Sequence, residues 1–386
     1  MTVTFIANFM NHHQCPFSLK MLELTNGEYI FLSHTPLPDE QKKLGYEDMN
    51  NFPFVIRMYE NQETYNIGIQ KILEDDIVIF GSCDDKFIEM RKETGKPFII
   101  YSERFFKKGL WRRFIPTTYR KVYNRMLKFQ GEQMSVICSS AYLPYELKLL
   151  KANIPTYKWG YFPPVKKYDN IENIIKKKEP GSILWCGRLI KLKHPDMMIK
   201  TAKQLRDAGY SFQLNMIGCG PMERKLRKLI QKYRLQEHVQ LLGAMAADKV
   251  RIYMEKAEIF AFTSDYREGW GAVLNESMNS ACAVVASHSA GAVPYLIEEK
   301  INGCVFANGD IEALTQSLKW LLDNPDKRAD LGRRAYDTIE NTWNAKTAAT
   351  RLYTLMEAII NKTMLPHYEN GPCSVAPGIN PRRKTK

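Results

Sequence analysis

Residues 263–278 read Thr263-Ser-Asp-Tyr-Arg-Glu-Gly-Trp-Gly-Ala-Val-Leu-Asn-Glu-Ser-Met278. The apolar run 259–262 just before them predicts a buried strand, and the apolar spacing after the glycines predicts a helix. Gly269 and Gly271 in the intervening turn let a ligand approach the backbone closely, and the first N–H groups of a helix lack partners within it. The stretch therefore predicts a ligand crevice at the carboxyl end of a strand.

Two glutamates flank this turn. Glu268 lies on the turn itself, and Glu276 lies about one helical turn into the predicted helix. Both carboxylates are therefore expected to face the same crevice. Such a pocket suits a ligand with an anionic group at one point and hydroxyl groups at two others, and a sugar nucleotide has this combination.

A second motif, Cys186-Gly-Arg-Leu-Ile-Lys-Leu-Lys193-His-Pro-Asp196, lies earlier in the chain. It follows a predicted strand and leads into a helix that Pro195 can open. Arg188 and Lys193 near this helix start suit a diphosphate, because arginine presents a planar fork of donors and lysine a point charge.

The two motifs carry a resemblance to a family. The segment from Glu268 to Glu276 resembles the Glu-x7-Glu signature of retaining GT-B glycosyltransferases of family 4, also called glycosyl transferases group 1. The segment 186–196 resembles the phosphate-binding segment of the same family, and the order and spacing of the motifs match over about residues 181–362. The resemblance implies a hexosyltransferase-type enzyme of polysaccharide or lipid-linked glycan biosynthesis, with an α/β GT-B fold: two tandem Rossmann-like domains and a C-terminal crossover helix.

The resemblance also implies roles for single residues. Arg188 and Lys193 would hold the donor diphosphate and stabilise the departing nucleotide in a front-face displacement that retains the anomeric configuration. Glu268 would bind hydroxyl groups of the donor sugar, and Glu276 the ribose hydroxyls. The turn and two neighbouring loops would complete the donor site through Gly269, Trp270, Gly271, Ala272, Val273, Gly218 and Met245.

The sequence also bears on cofactors. No Asp-x-Asp pair occurs in the chain, so we expect no essential metal. The loop Ile217-Gly-Cys-Gly-Pro221 lacks the third glycine of a dinucleotide-binding loop, which disfavours NAD. We expect no cofactor, and a UDP-sugar or a GDP-sugar as the donor.

The length of 386 residues favours two domains, and strands alternate with helices along both halves. A rigid, lysine-rich stretch at 174–180 is interpreted as part of an interdomain linker. We expect an acceptor-side domain at 1–164 and a nucleotide-sugar-binding domain at 165–344. A crossover helix at 345–363 is expected to pack back on the first domain, and residues 364–386 are expected to form a disordered tail.

The first domain departs from the family pattern. Many relatives carry a Gly-Gly loop after the first strand, whereas this chain has His12 and His13 there, and either could reach a phosphate or the acceptor. Where relatives place a histidine after a middle strand, this chain has Glu103 and Arg104, and either of them could take over part of that role. Two alternatives therefore stay open: a catalytically weak scaffold that binds nucleotide sugars, and a GT-B sugar-nucleotide epimerase.

The formal charge of +13 suits nucleic acid, an anionic membrane or a phosphorylated substrate, but no nucleic-acid-binding module accompanies it. Nine Lys and Arg residues and no acid lie in the segment 104–128. This segment resembles a basic amphipathic element of membrane interfaces. The alternative is a helix that packs its apolar side on the core. We expect the insertion residues to be Phe105, Phe106, Trp111 and Phe114, and one helical face to carry Tyr119, Val122, Tyr123, Met126 and Leu127.

The eight cysteines show no metal-ligand spacing, and several lie in apolar runs, which favours reduced, buried thiols. The first residues lack the pattern of a signal peptide, and no apolar run is long enough to span a membrane. We therefore expect a cytoplasmic enzyme that is peripheral on the inner face of the plasma membrane. Its partners would be the nucleotide-sugar donor and a lipid-linked or polysaccharide acceptor.

Overall fold

The computed structural model describes residues 1–39, 47–131 and 133–381. The chain forms two compact units. The first consists of Met1–Pro164 and Thr342–Ile379, and the second of Val165–Asn341 with residues 380 and 381.

The first unit is built on a parallel sheet of seven strands in the order β3-β2-β1-β4-β5-β6-β7. The strands are β1 Val3–Ala7, β2 Tyr29–Ser33, β3 Val55–Arg57, β4 Ile77–Phe80, β5 Phe98–Ser102, β6 Met134–Cys138 and β7 Thr156–Lys158. Its helices are α1 Cys15–Leu24, α2 Gln62–Glu74, α3 Asp85–Glu93, α4 Pro116–Arg125 and α5 Leu143–Leu149, with short 3₁₀ turns at Met49–Asn51, Leu110–Phe114 and Leu127–Phe129.

The strand order of this sheet reverses between β1 and β4, which lie side by side. A crevice forms at such a point, outside the carboxyl ends of the strands. β1 and β4 are buried along their whole length, as expected for parallel strands with helices on both faces. β7 is the one strand of this sheet that the sequence did not predict, because only three residues pair there.

The second unit is a parallel sheet of six strands in the order β10-β9-β8-β11-β12-β13. The strands are β8 Glu179–Cys186, β9 Gln213–Ile217, β10 Val239–Gly243, β11 Ala257–Phe262, β12 Ala283–Ser287 and β13 Cys304–Phe306. The helices are α6 Ile171–Lys176, α7 Pro195–Asp207, α8 Glu223–Lys232, α9 Ala247–Lys256, α10 Val273–Asn279, α11 Val293–Leu296, α12 Ile311–Asp323 and α13 Pro325–Asn341, with a 3₁₀ turn at Lys191–Lys193.

Two sequence interpretations fail in this unit. The 174–180 stretch is not an extended linker: α6 covers its first half, and β8 already begins at Glu179. Asn170 caps α6 by accepting from Glu172 N at 2.9 Å. The helix α13 was not predicted, although Leu331, Ala335 and Ile339 bury one side of it, because its remaining surface is highly charged.

The segment Thr342–Ile379 returns to the first unit. The crossover helix α14, Ala345–Asn361, packs against α1 within this unit and buries Leu352, Leu355 and Met356. Asn344 caps it by accepting a hydrogen bond from Thr347 N at 2.8 Å.

The disorder expected after α14 is not found in residues 366–381. The carbonyl of Lys158 in β7 accepts from Cys373 N at 2.9 Å, Lys158 N donates to Ser374 O at 2.8 Å, and Ala376 N donates to Thr156 O at 2.9 Å. The tail therefore pairs with the edge of the sheet, and its backbone groups are satisfied there. The basic end at 382–386 lies outside the described residues.

The basic segment 104–128 also differs from its prediction. Phe106 is buried against Leu110, Val122 and Leu127, so it cannot insert into a membrane. Phe105 is half-buried. Trp111 and Phe114 are 55% and 74% exposed.

The single apolar face expected for this segment does not exist. α4 ends at Arg125, so the residues after it leave the helical periodicity. Val122 and Met126 are buried, whereas Tyr119 and Tyr123 are exposed and stack on each other with their centroids 6.3 Å apart.

The buried side chain of Arg91 stabilises the first unit, and this can be tested. Its fully buried guanidinium donates to the carbonyls of Ile72, Asp75, Asp76 and Pro97 at 2.8 to 3.0 Å. Methionine has no hydrogen-bond donor, so Arg91→Met would leave these buried carbonyl oxygens without a donor. We therefore expect this change to lower the free energy of unfolding by about 3 kcal/mol or more. Urea denaturation measures the loss.

The matched control for this change is Arg120→Met, since Arg120 is exposed on α4 and makes no ion pair with a described residue. It should change the free energy of unfolding by less than about 0.5 kcal/mol. Equal midpoints for the two variants would contradict the role assigned to Arg91.

Candidate functional site

Three loops at the carboxyl ends of β8, β9 and β10 meet in the second unit. Gly218 has φ 138°, and a Cβ there would lie 1.9 Å from the carbonyl oxygen of Gly187. Gly218 N donates to Gly243 O at 2.7 Å, and Leu189 N donates to Cys219 O at 2.8 Å. Only glycine allows this approach, so it fixes the loop that carries Arg188.

The two sequence motifs are joined by hydrogen bonds at the end of β11. The hydroxyl of Thr263 donates to the carbonyl of Lys193 at 2.6 Å and accepts from the indole N–H of Trp185 at 2.9 Å. Asp265 N donates to Leu192 O at 2.9 Å. The 3₁₀ turn before α7 is thereby held against the first residues of the 263–278 stretch.

This arrangement brings together two of the predicted site residues. The Lys193 ammonium forms an ion pair with the Glu268 carboxylate, and their side chains are only 14% and 15% exposed. Ser264 also donates to this carboxylate, at 3.0 Å. Because both charges are partly desolvated, each orients the other more firmly than an exposed pair would.

A second acidic residue supports the turn. Asp265 accepts from Arg267 Nη2 at 2.6 Å and lies 3.0 Å from Nε2 of His194. Burial alone would raise the pKa of Asp265, but the hydrogen bonds from His194 and Arg267 outweigh it and hold the pKa at about 2. Sequence reasoning missed Thr263, Ser264 and Asp265, although polar residues directly after a buried strand were a usable signal.

The turn after Glu268 depends on a glycine. Gly271 has φ 92°, and a Cβ there would lie 2.4 Å from Cζ of Phe262. Trp270 is fully buried, and its indole N–H donates to the Asn275 side chain at 2.8 Å. The Trp270 side chain therefore belongs to the core, and only its backbone can contact a ligand.

The backbone of this turn offers hydrogen-bond donors. Four of its N–H groups find no acceptor within the part of the chain that the structure describes, and they belong to Gly269, Gly271, Ala272 and Val273. Unpaired N–H groups in one turn suit an anion or hydroxyl oxygens.

Glu276 on α10 is half-buried and forms no ion pair within the described ranges. Burial raises the pKa of its carboxyl to about 6, against a lowering effect of Arg251. Arg251 donates instead to the Glu276 carbonyl at 3.2 Å and to the Asn279 side chain at 2.9 Å. The Glu276 carboxylate thus stays available as a hydrogen-bond acceptor.

The carboxylate of Glu276 also lies close to the first motif. Burial, together with the charge of Glu276, raises the pKa of the Cys186 thiol to about 12, while Lys193 opposes the rise. Arg188, two residues further on, is exposed and without an ion-pair partner among the described residues. Met245, in the loop after β10, is half-buried, and its contact with the base stays a prediction.

The residues expected on the acceptor side lie in the first unit. Burial and the neighbouring His12 lower the pKa of His13 to about 3, so His13 is neutral at physiological pH and supplies no charge for a phosphate. Glu103 accepts from the Tyr161 hydroxyl at 2.5 Å and forms an ion pair with Lys107.

Arg104, which was expected to take over part of the histidine's role, is bound by Glu146, and its role stays a prediction. Its guanidinium reaches the buried Glu146 carboxylate at 2.7 Å and stacks on the Tyr142 ring, 4.9 Å from the centroid. Glu146 also accepts from the backbone N–H groups of Phe105 and Phe106 at 2.7 and 3.0 Å. The pair therefore anchors the start of the basic segment.

Within residues 1–39, 47–131 and 133–381, no three His, Cys, Asp or Glu side chains cluster as a metal site would require. In the same residues, no helix combines the length and apolarity that crossing a membrane needs.

Solved structures with the same architecture define the class of the fold. The chain resembles the crystal structure of Anabaena Alr3699/HepE in complex with UDP, with a TM-score of 0.68 and 15% identity over 93% of this chain and all of that one. It also resembles a glycosyltransferase from Rickettsia africae, with a TM-score of 0.65 and 19% identity over 94% and 99% of the two chains. The fold is GT-B, as the sequence predicted.

The family follows from the sequence comparisons. Residues 167–338 match the model of glycosyl transferases group 1, so the second unit belongs to that family. The "Putative colanic acid biosynthesis glycosyltransferase WcaL" of Escherichia coli K12 is 28% identical over 47% of this chain and 46% of its own length. The amylovoran biosynthesis glycosyltransferase AmsK of Erwinia amylovora is 26% identical over 72% and 68%. The chain thus spans about half the length of WcaL.

The raised pKa of Glu276 generates a pH prediction. The carboxyl is charged above about 6 and loses acceptor capacity as it is protonated below that value. If Glu276 binds the ribose hydroxyls, the affinity for a nucleotide sugar should fall roughly tenfold between pH 7 and pH 5. Calorimetric titration with UDP-glucose and with GDP-mannose measures it, since their diphosphate diesters do not titrate in this range.

The control for the pH prediction is Glu276→Gln, which cannot titrate. It should bind more weakly at pH 7 and show a flat profile. The folded-state pKa lies above the ordinary 4.5, so in the parent the free energy of unfolding should also fall as the pH rises from about 4.5 through about 6. If the affinity of Glu276→Gln depended on pH as the parent's does, the assignment of Glu276 to the nucleotide site would be wrong.

Proposed function

We propose that this chain is a retaining glycosyltransferase that transfers a sugar from a UDP-sugar or a GDP-sugar to a lipid-linked or polysaccharide acceptor. The observation that carries the proposal is the Lys193–Glu268 pair at the end of β11, with Arg188 and Glu276 around it. A cation for phosphate and two acceptors for hydroxyl groups are the chemistry that a nucleotide sugar needs.

In the proposed reaction the bond between the anomeric carbon and the β-phosphate oxygen breaks, and the electron pair stays on that oxygen. The acceptor hydroxyl forms its bond on the same face, and its proton passes to the departing phosphate. Arg188 and Lys193 stabilise the charge that develops there. Glu268 accepts from hydroxyls of the donor sugar, and the N–H groups after it contact the sugar and the phosphate. No metal or other cofactor is required in this proposal.

The comparisons support the substrate classes of the proposal. The HepE structure holds UDP, which favours a nucleoside-diphosphate sugar as donor. The names of WcaL and AmsK refer to colanic acid biosynthesis and to amylovoran biosynthesis, which favours a growing glycan as acceptor. Release of free nucleotide from UDP-sugars and GDP-sugars, followed by analysis of the product's anomeric configuration, tests the donor and the stereochemistry.

Arg188 and Lys193, which we call the diphosphate clamp, are tested by replacing both side chains. Charge-assisted hydrogen bonds contribute roughly 1.5–3 kcal/mol each, so Arg188→Ala and Lys193→Ala should each lower turnover about ten- to a hundredfold or more. Turnover is measured as nucleotide release, and folding by circular dichroism. The matched control is Arg224→Ala with Lys228→Ala on α8, both exposed and without ion-pair partners among the described residues.

The clamp experiment also separates the alternatives. Turnover at the parent's level in the Arg188→Ala, Lys193→Ala double variant would refute the clamp. If the unmodified protein binds nucleotide sugars but releases no nucleotide, it is a nucleotide-sugar-binding scaffold. If it converts the donor into another nucleotide sugar, it is an epimerase.

We further propose that the enzyme works at the inner face of the plasma membrane, bound through the segment 104–128. Trp111 and Phe114 are the exposed aromatics at its 3₁₀ turn, and the guanidinium groups of Arg112 and Arg113 lie over their rings, 5.6 and 4.2 Å from the centroids. Aromatic rings that carry cations suit an anionic headgroup layer, and each basic residue near such a surface contributes about 1 kcal/mol.

The membrane proposal predicts sedimentation with vesicles. The parent should bind phosphatidylglycerol-containing vesicles but not purely zwitterionic ones, and salt should partly reverse the binding because it shortens the Debye length. Replacing Lys108, Arg112 and Arg113 with Gln should abolish it, and hydrolysis of the donor in the absence of an acceptor should be unchanged. Lys107 is left in place because it pairs with Glu103.

Two further variants complete the vesicle test. Trp111→Ala with Phe114→Ala should remove the salt-resistant part of the binding, and Arg224→Gln with Lys228→Gln should leave binding intact. A charge-depleted variant that sediments as the parent does would place the membrane surface elsewhere. A parent that binds no vesicles would favour a soluble acceptor.

A further inference from the structure

A large cleft opens in the first unit at the carboxyl ends of its strands. It has a volume of about 1180 Å³, enough for a sugar with a phosphate or diphosphate group. Its wall includes residues directly after β2, β4 and β6 and the end of β5. Residues of the basic segment 104–128 also line it. This is where ligands bind in parallel α/β sheets.

Six cations line this cleft: Arg104, Lys107, Lys108, Arg112, Lys121 and Arg125. Three carboxylates also line it, namely Asp84, Asp85 and Glu103, and each has a partner. Asp84 lies 3.4 Å from Nε2 of His34 and 4.0 Å from the Lys86 ammonium. Glu103 binds Lys107, and Asp85 binds Arg125 at 3.1 Å. Lys108, Arg112 and Lys121 have no carboxylate partner among the described residues. The uncompensated charge of the cleft is therefore positive.

Arg104 adds a second, independent observation. Its side chain is only 2% exposed, and the contacts with Glu146 and Tyr142 hold it rigidly. Its Nη1 is nevertheless buried without a hydrogen-bond partner. A buried donor without an acceptor is costly, and such a group in a cleft wall points to a ligand oxygen that satisfies it.

We propose that this basic cleft binds the phosphate or diphosphate group of the acceptor. The inference rests on the proposed transferase function and names the class of its acceptor: a sugar attached through phosphate. Arg104 would supply a preorganised N–H, and Lys108 and Lys121 mobile charges. The phosphate can come from a lipid carrier or from a soluble sugar phosphate. The exposed Trp111 and Phe114 beside Arg112 favour the lipid source.

The test measures binding of inorganic pyrophosphate in a background that carries Arg188→Ala and Lys193→Ala. Because these changes remove the proposed donor clamp, pyrophosphate that still binds occupies another site. Lys108→Gln with Lys121→Gln should weaken this binding roughly ten- to a hundredfold, since two charge-assisted contacts are lost. Arg224→Gln with Lys228→Gln, two exposed cations of the second unit, should leave it unchanged.

Arg104 is tested separately, because its loss also removes the partner of Glu146. Arg104→Met combined with Glu146→Leu replaces the buried pair by apolar side chains and leaves no unpaired charge. If this variant keeps the circular dichroism spectrum of the background, pyrophosphate affinity should fall by about tenfold or more. Should it fail to fold, the Lys108, Lys121 comparison decides by itself.

Two probes distinguish the sources of the phosphate. Farnesyl diphosphate should bind more tightly than pyrophosphate, and Trp111→Ala with Phe114→Ala should remove the gain. Glucose 1-phosphate that binds as tightly as farnesyl diphosphate would keep the phosphate site and assign it to a soluble acceptor.

The proposal is overturned if the clamp-deficient background binds neither pyrophosphate nor farnesyl diphosphate, or if the control variant loses as much affinity as Lys108→Gln with Lys121→Gln. Failure of the transferase proposal looks different. In that case the parent releases no nucleotide from any donor, while pyrophosphate still binds in the cleft.

Discussion

The hydroxyl of Thr263 is the interaction on which the second unit's site depends. It donates to the Lys193 carbonyl at 2.6 Å and accepts from Trp185 at 2.9 Å, so one side chain joins the ends of β8 and β11 to the turn before α7. Lys193 and Glu268 can form their ion pair only because this junction fixes both backbones. A partly buried pair would otherwise cost more in desolvation and side-chain entropy than it returns.

Glycines supply the second constraint, at two positions. Gly218 lets its loop touch the backbone of Gly187, and Gly271 lets the turn pass the Phe262 ring. A side chain at either point would push apart the loops that carry Arg188 and Glu268. The donor chemistry proposed for this unit thus requires close backbone packing as much as charged side chains.

The first unit has the same parallel α/β architecture, but different interactions shape its crevice. Its strand ends also open into a crevice, but buried ion pairs rather than glycines shape the wall. The Arg104–Glu146 pair holds two backbone N–H groups and so positions the start of the basic segment. The segment can then expose Trp111 and Phe114 while Phe106 and Val122 anchor it in the core. Lys108, Arg112 and Lys121 of this segment are available to a ligand, because no carboxylate among the described residues pairs with them.

The sequence by itself determined the strand–turn–helix units and the two motifs proposed to bind the donor, because apolar periodicity, glycine positions and residue spacing are local properties. Tertiary structure decided the rest. It paired Lys193 with Glu268, buried the Trp270 and Phe106 side chains and tied Arg104 to a carboxylate 42 positions away. It also pairs the proline-bearing tail with β7, where composition had predicted disorder. Each of these contacts depends on which residue, distant in sequence, hydrogen-bonds a buried polar atom or covers an apolar side chain. A local sequence pattern holds no information about such distant partners.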